Sequence, residues 1–140
     1  MPSTFNKFQS FVEAVAEKVH NLGSDTLKAV LTNAAPTATH TVKADLTEIA
    51  AGNGYTAGGP TMTQSSSAQV AGTYTLKVAD ATVTASGGPI GPLRTATLVN
   101  DTAASDELVG AWDYGSSITL AVTESLDIDA DAAAGIATLA

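Results

Sequence analysis

Thr73-Tyr-Thr-Leu-Lys-Val78 is the clearest signal in the chain: Tyr74, Leu76 and Val78 alternate with Thr73, Thr75 and Lys77. A strict period of two puts one set of side chains in a core and the other in water, which is the pattern of a half-buried strand. Upstream, residues 61–69 are polar and read as an edge strand or a long arm. Before them, residues 51–60 are loop by composition, with Asn53-Gly54 as a turn signal and glycines that allow positive φ. Residues 42–50 contain a short strand around Leu46 and Ile49. Residues 26–32 form an apolar, β-branched run that ends at the turn-rich Asn33-Ala-Ala-Pro36.

Downstream the pattern recurs. Residues 81–85 read as a short strand around Val83, and residues 86–92 as a rigid turn with two prolines. A strand at 93–100 follows, then one at 107–113, a turn at Tyr114-Gly115, and a strand at 117–122 with Ile118, Leu120 and Val122 inward. Residues 126–131 set Leu126 and Ile128 against three aspartates, and 136–140 close the chain as a last strand. About nine strands separated by Gly, Pro, Asn and Asp clusters predict a mainly β fold, an antiparallel sandwich or jelly roll. The N-terminus differs. Phe5, Phe8, Val12, Val15 and Val19 fall near helical spacing, widened by Phe11, with Ser3 able to cap and Asn21-Leu22-Gly23 as a stop. That predicts a helix over 4–16; the alternative is a strand over 18–22. The expected organisation is an N-terminal helix or arm over residues 1–22 packed on a single β domain over 23–140.

The chain has 140 residues, enough for one domain with a real core. Leu, Ile, Val and Phe number 30, about a fifth of the chain and just above the level where disorder sets in. Residues 1–70 carry four lysines against five acids, and residues 71–140 carry Lys77 and Arg94 against nine acids, giving the net charge of −8. Such a surface repels phosphate backbones and anionic lipid heads, so neither nucleic acid nor membrane is an expected partner. There is no cysteine, hence no disulfide, thiolate metal site or cysteine nucleophile. No run approaches the roughly 18 apolar residues of a membrane span. Lys7, Glu13, Glu17 and Lys18 interrupt the region where a signal peptide needs an apolar stretch, which predicts synthesis in the cytoplasm without ordinary export.

Chemistry-bearing patterns are weak. Asp127, Asp129 and Asp131 resemble the start of a calcium loop. However, Ala132 stands where the sharp turn needs Gly, and Thr138 where a bidentate Glu is needed. His20 and His40 are the only histidines and lack helical i, i+4 spacing, and no Gly-x-Ser-x-Gly elbow supplies a nucleophile. Both read as surface or turn residues. Gly52-Asn-Gly-Tyr55 has no following Lys and opens no helix, so it is not a phosphate cradle. Asn100-Asp-Thr102 matches a glycosylation acceptor, a match with little meaning without export. Aromatics are 5% of the chain, few for a sugar-cleaving cleft. The expectation is a non-enzymatic protein with no catalytic residue, metal or cofactor.

Several segments, spread along nearly the whole chain, are together similar to the capsid cement (decoration) proteins of tailed bacteriophages. They are Phe5-Asn-Lys-Phe-Gln-Ser-Phe11, His20-Asn-Leu-Gly-Ser-Asp-Thr-Leu27, Leu31-Thr-Asn-Ala-Ala-Pro36, Ile49-Ala-Ala-Gly-Asn-Gly-Tyr-Thr-Ala-Gly-Gly59, Gly88-Pro-Ile-Gly-Pro92, Leu98-Val-Asn-Asp-Thr102 and Trp112-Asp-Tyr-Gly-Ser-Ser-Ile-Thr-Leu120. The resemblance implies a jelly-roll fold, a homodimer, and attachment to the outside of the shell across neighbouring major capsid protein subunits. Virion localisation follows from the same likeness. The candidate interface residues, toward a second copy or toward the capsid, are Phe5, Phe8, Phe11, Tyr55 and Trp112. The three phenylalanines read either as anchors onto a partner or as a helix stapled across the open end of the β core, and Trp112 also suits a core or corner. A host-recognition module of a head fibre or tail, binding a glycan, is the alternative; it would need an exposed aromatic or acidic pocket.

Overall fold

A computed structural model describes residues 4–130 and 135–139. In chain order these form β1 (Phe5–Lys7), α1 (Gln9–Ala16), β2 (Leu27–Thr32), β3 (Gln64–Val70), β4 (Thr73–Val78), β5 (Ala81–Thr84), β6 (Ile90–Asn100), β7 (Leu108–Leu120), β8 (Ser125–Ile128) and β9 (Ala137–Leu139). Every strand pair is antiparallel. The sheets run β1-β7-β6-β2, β3-β4-β9 and β5-β8. The protein is therefore mainly β with one short helix. One contiguous cluster joins the sheets, as in a β-sandwich: Leu31 of β2, Leu98 of β6 and Trp112 of β7 share it with Leu76 of β4, Val83 of β5 and Ile128 of β8.

The four-stranded sheet is covered on both faces. Leu27, Ala29 and Leu31 of β2 face the main core, while Val30 joins Phe8, Val99, Leu108 and Ala111 on the opposite side. This explains why 95–100 reads as a near-continuous buried run and not as an alternation. In contrast β4 and β8 keep the predicted alternation, with Leu76, Val78, Leu126 and Ile128 inward.

Four local expectations are corrected. Residues 5–7 are extended, not helical, and pair Phe5 with Trp112, Asn6 with Ala111 and Lys7 with Gly110. Gly110 makes this possible, because a Cβ there would overlap the Phe5 ring. The helix begins only at Gln9, with extended Phe8 in the cap position, and it stops well short of Gly23. Lys18 takes a left-handed φ of 67°, and the bonds from Lys18 N to Val15 O and Val19 N to Ala14 O close the end as a Schellman motif. The cap expected of Ser3 lies outside the described residues. Second, the strand expected near Leu46 is a single 3-10 turn, Lys43–Asp45, because the Asp45 carboxylate accepts the Thr41 and Val42 backbone N–H groups. These bonds hold the Asp45 pKa below its ordinary value. Third, Tyr114-Gly115 is no turn. β7 runs through it as a bulge, with residues 114–117 opposite Arg94 alone, between the pairs Leu93–Ile118 and Thr95–Asp113. Fourth, Val122, expected inward, is half exposed, since β7 ends at Leu120 and a turn closed by Glu124 N to Ala121 O follows.

Candidate functional site

The five candidate interface residues go inside the chain. Phe8, Phe11, Tyr55 and Trp112 are each at most 3% exposed, and Phe5 is half-buried with its ring centroid 4.7 Å from that of Trp112. Their apolar area is consumed by the protein's own core, so they do not form a surface of the single chain. Phe8 seats in the second cluster and Phe11 in the main one, which places them on opposite sides of the four-stranded sheet.

Tyr55 has a structural task. Its hydroxyl accepts the Leu31 N–H at 3.1 Å and donates to Glu48 Oε1 at 2.7 Å, and the same oxygen accepts the Gly58 N–H at 2.6 Å. Burial, more than the adjacent carboxylate, pushes the phenol well above its ordinary value. The glycine-rich stretch is thus a clamp on β2. Gly59, at φ 80°, lies so close to β2 that a Cβ would overlap the Ala29 carbonyl oxygen. Loop 51–60 is thereby pinned to β2.

His20, expected at the surface, is 6% exposed and belongs to a buried polar network. Asn100 lies at its centre and is completely buried, so the glycosylation match does not correspond to an accessible amide. Its Oδ1 accepts the backbone N–H groups of Thr102 and Ala103, which fixes the amide orientation. Nδ2 then donates to Asp25 Oδ2 at 2.7 Å and to His20 Nδ1 at 2.9 Å. A ring nitrogen that accepts carries no proton, so His20 is neutral with its proton on Nε2. Burial lowers its pKa from the ordinary value, against the pull of Glu107 and Asp25. Asp25 Oδ2 also accepts the Asn21 N–H, and the Gln64 side chain donates to the carbonyls of Leu22 and Asp25. The network thereby ties segment 20–25 to β3 and to the β6–β7 connection.

Beside it opens a cleft of about 540 Å³. Val15 and Val19 come from the end of α1 and the turn after it, Asp25 from the following segment, Tyr74 from β4, Thr102 from the β6–β7 connection and Leu139 from β9. The wall surface is chiefly apolar, with His20, Asn21, Asp25, Ser67 and Thr102 as its polar members, and Lys18 sits at the rim. The Tyr74 hydroxyl is held 2.7 Å from Ser67 Oγ, which orients the ring.

The other chemical patterns stay apart. His40 lies in a separate small recess with Asp45. Asp127 accepts a bond from Thr82 Oγ1 across the β5–β8 pair, and Asp131 lies outside the described residues. Among the described residues no three His, Asp or Glu side chains converge to hold a metal ion. Reading the sequence missed Asp25, Asn100 and Tyr74 as a group. The available signals were a histidine and an aspartate five residues apart and a strand-borne tyrosine, and their meeting depends on long-range pairing. No protein-family model, curated protein or solved structure matches the chain.

Proposed function

We propose that the chain is a virion structural protein that binds the outer surface of an assembled bacteriophage capsid and stabilises it by bridging major capsid protein subunits. The observation that carries this reading is the likeness of segments spread from Phe5 to Leu120 to capsid decoration proteins. The mainly β fold agrees with the jelly roll which that likeness implies. A protein that binds the lattice and not the free subunit stabilises the shell by linkage, with no chemistry of its own. A homodimer that grips two subunits makes its second contact intramolecular, which raises avidity by roughly 10²–10⁴ over a single contact. The net charge of −8 keeps such a protein off packaged or free DNA.

The five candidate aromatics are buried or half-buried, so attachment and self-association rest on other surfaces. β3 is mostly exposed, has β4 as its one strand neighbour among the described residues, and carries Val70 at 77% exposure. An open polar edge of this kind is suited to isologous pairing with a second copy. The test is mass-spectrometric stoichiometry of purified heads, combined with heat challenge before and after the protein is stripped. Hundreds of copies per head and a loss of heat resistance on stripping are expected. A few copies per particle, or heads equally resistant without it, would overturn the reading.

A further inference from the structure

We propose that the cleft between α1, β4 and β9 is a saccharide-binding site. The proposal does not depend on the capsid reading. The cleft volume of about 540 Å³ falls in the range of small-ligand sites. Asp25 at its base is nine-tenths buried, and only its Oδ2 is engaged, by Asn21 and Asn100. Oδ1 accepts no hydrogen bond from the described residues. That oxygen is open to water, and an occupant that displaces the water without supplying a donor incurs a desolvation penalty.

The surroundings narrow the donor. An anion is repelled by Asp25 itself, and a bare cation finds no cluster of three His, Asp or Glu side chains among the described residues to hold it and leaves the apolar walls uncovered. A purely apolar occupant leaves Oδ1 bare. A neutral hydroxyl satisfies it. The rest of the cleft asks for carbon: Val15, Val19 and Leu139 are aliphatic, and the Tyr74 ring is fixed by its bond to Ser67. A molecule with hydroxyl edges and C–H faces meets both demands, and that is a sugar ring. Sugar binding here needs no proton transfer, in keeping with a neutral His20 whose Nδ1 is committed to Asn100; its buried Nε2 has no partner among the described residues, so a hydroxyl oxygen suits it as well.

The experiment uses the full chain on a glycan array, followed by NMR titration of the ¹⁵N-labelled protein with the strongest-binding free oligosaccharide. Amide shifts are expected within residues 18–25 and at Ser67 and Tyr74. Two variants test the site. Asp25→Asn retains an oxygen for Asn21 and Asn100 but replaces the free acceptor with a donor. Gly23→Gln narrows the mouth, and its Cβ meets only Ser67 Oγ at 3.5 Å and Asn21 Oδ1 at 3.7 Å among polar atoms, so the fold has room for it. At least a tenfold loss of affinity in both, with unchanged circular dichroism, is expected. No array signal above the protein-free control would overturn the proposal. So would shifts confined to another surface, or affinity unchanged in the Gly23→Gln variant.

Discussion

Asn100 shows how one side chain organises a region. Because its carbonyl oxygen is held by Thr102 and Ala103, its amide hydrogens have fixed targets in Asp25 and His20. The His20 bond survives only while Nδ1 is unprotonated. The folded pKa is lowered, so the unfolded chain binds the proton more tightly and stability rises with pH. The contribution is complete above the ordinary histidine value of about 6.5 and is lost as pH falls through the lower folded value. Urea midpoints measured from pH 8 down to pH 5 are expected to stay level and then decline, and His20→Gln is expected to flatten the decline. A level profile in the parent protein would refute the role given to this bond. Little of this was legible beforehand, since Asn100 and His20 are 80 residues apart and only pairing of β2 with β6 brings them together.

Among the elements, those with one wet face were readable and those without were not. β4 and β8 alternate in the sequence and in the structure. β6 is covered on both faces, so its pattern carries no period. β1 was read as helix because Phe5 and Phe8 have a spacing that suits either form, and the deciding factor is the open space at Gly110, more than 100 residues away. The loop over residues 51–60 was legible as loop, but its attachment was not. Tyr55→Phe removes both the acceptor for Leu31 N–H and the donor to Glu48. The expected cost is about 1–3 kcal/mol, read from chemical denaturation, because a buried N–H is left unpaired. A change below the error of that measurement would show that water replaces the hydroxyl at no penalty.

For the whole molecule, burial of the aromatic rings changes what an N-terminal truncation does. Deleting residues 1–11 removes β1 and two fully buried phenylalanines. Loss of a buried phenylalanine costs about 3–5 kcal/mol, against a total stability of about 5–15 kcal/mol for a domain. The truncated chain is expected to lose cooperative thermal unfolding by calorimetry; a sharp transition near that of the parent would show that the β core is self-sufficient. The pairing of β1 with β7 also bears on synthesis. Phe5 leaves the ribosome well before its ring partner Trp112, which is added 107 residues later. At about 5–20 residues per second, that interval is on the order of ten seconds. Throughout it, three benzyl groups lack their final seat, so the nascent chain is most prone to aggregate or to engage a chaperone before β7 has emerged.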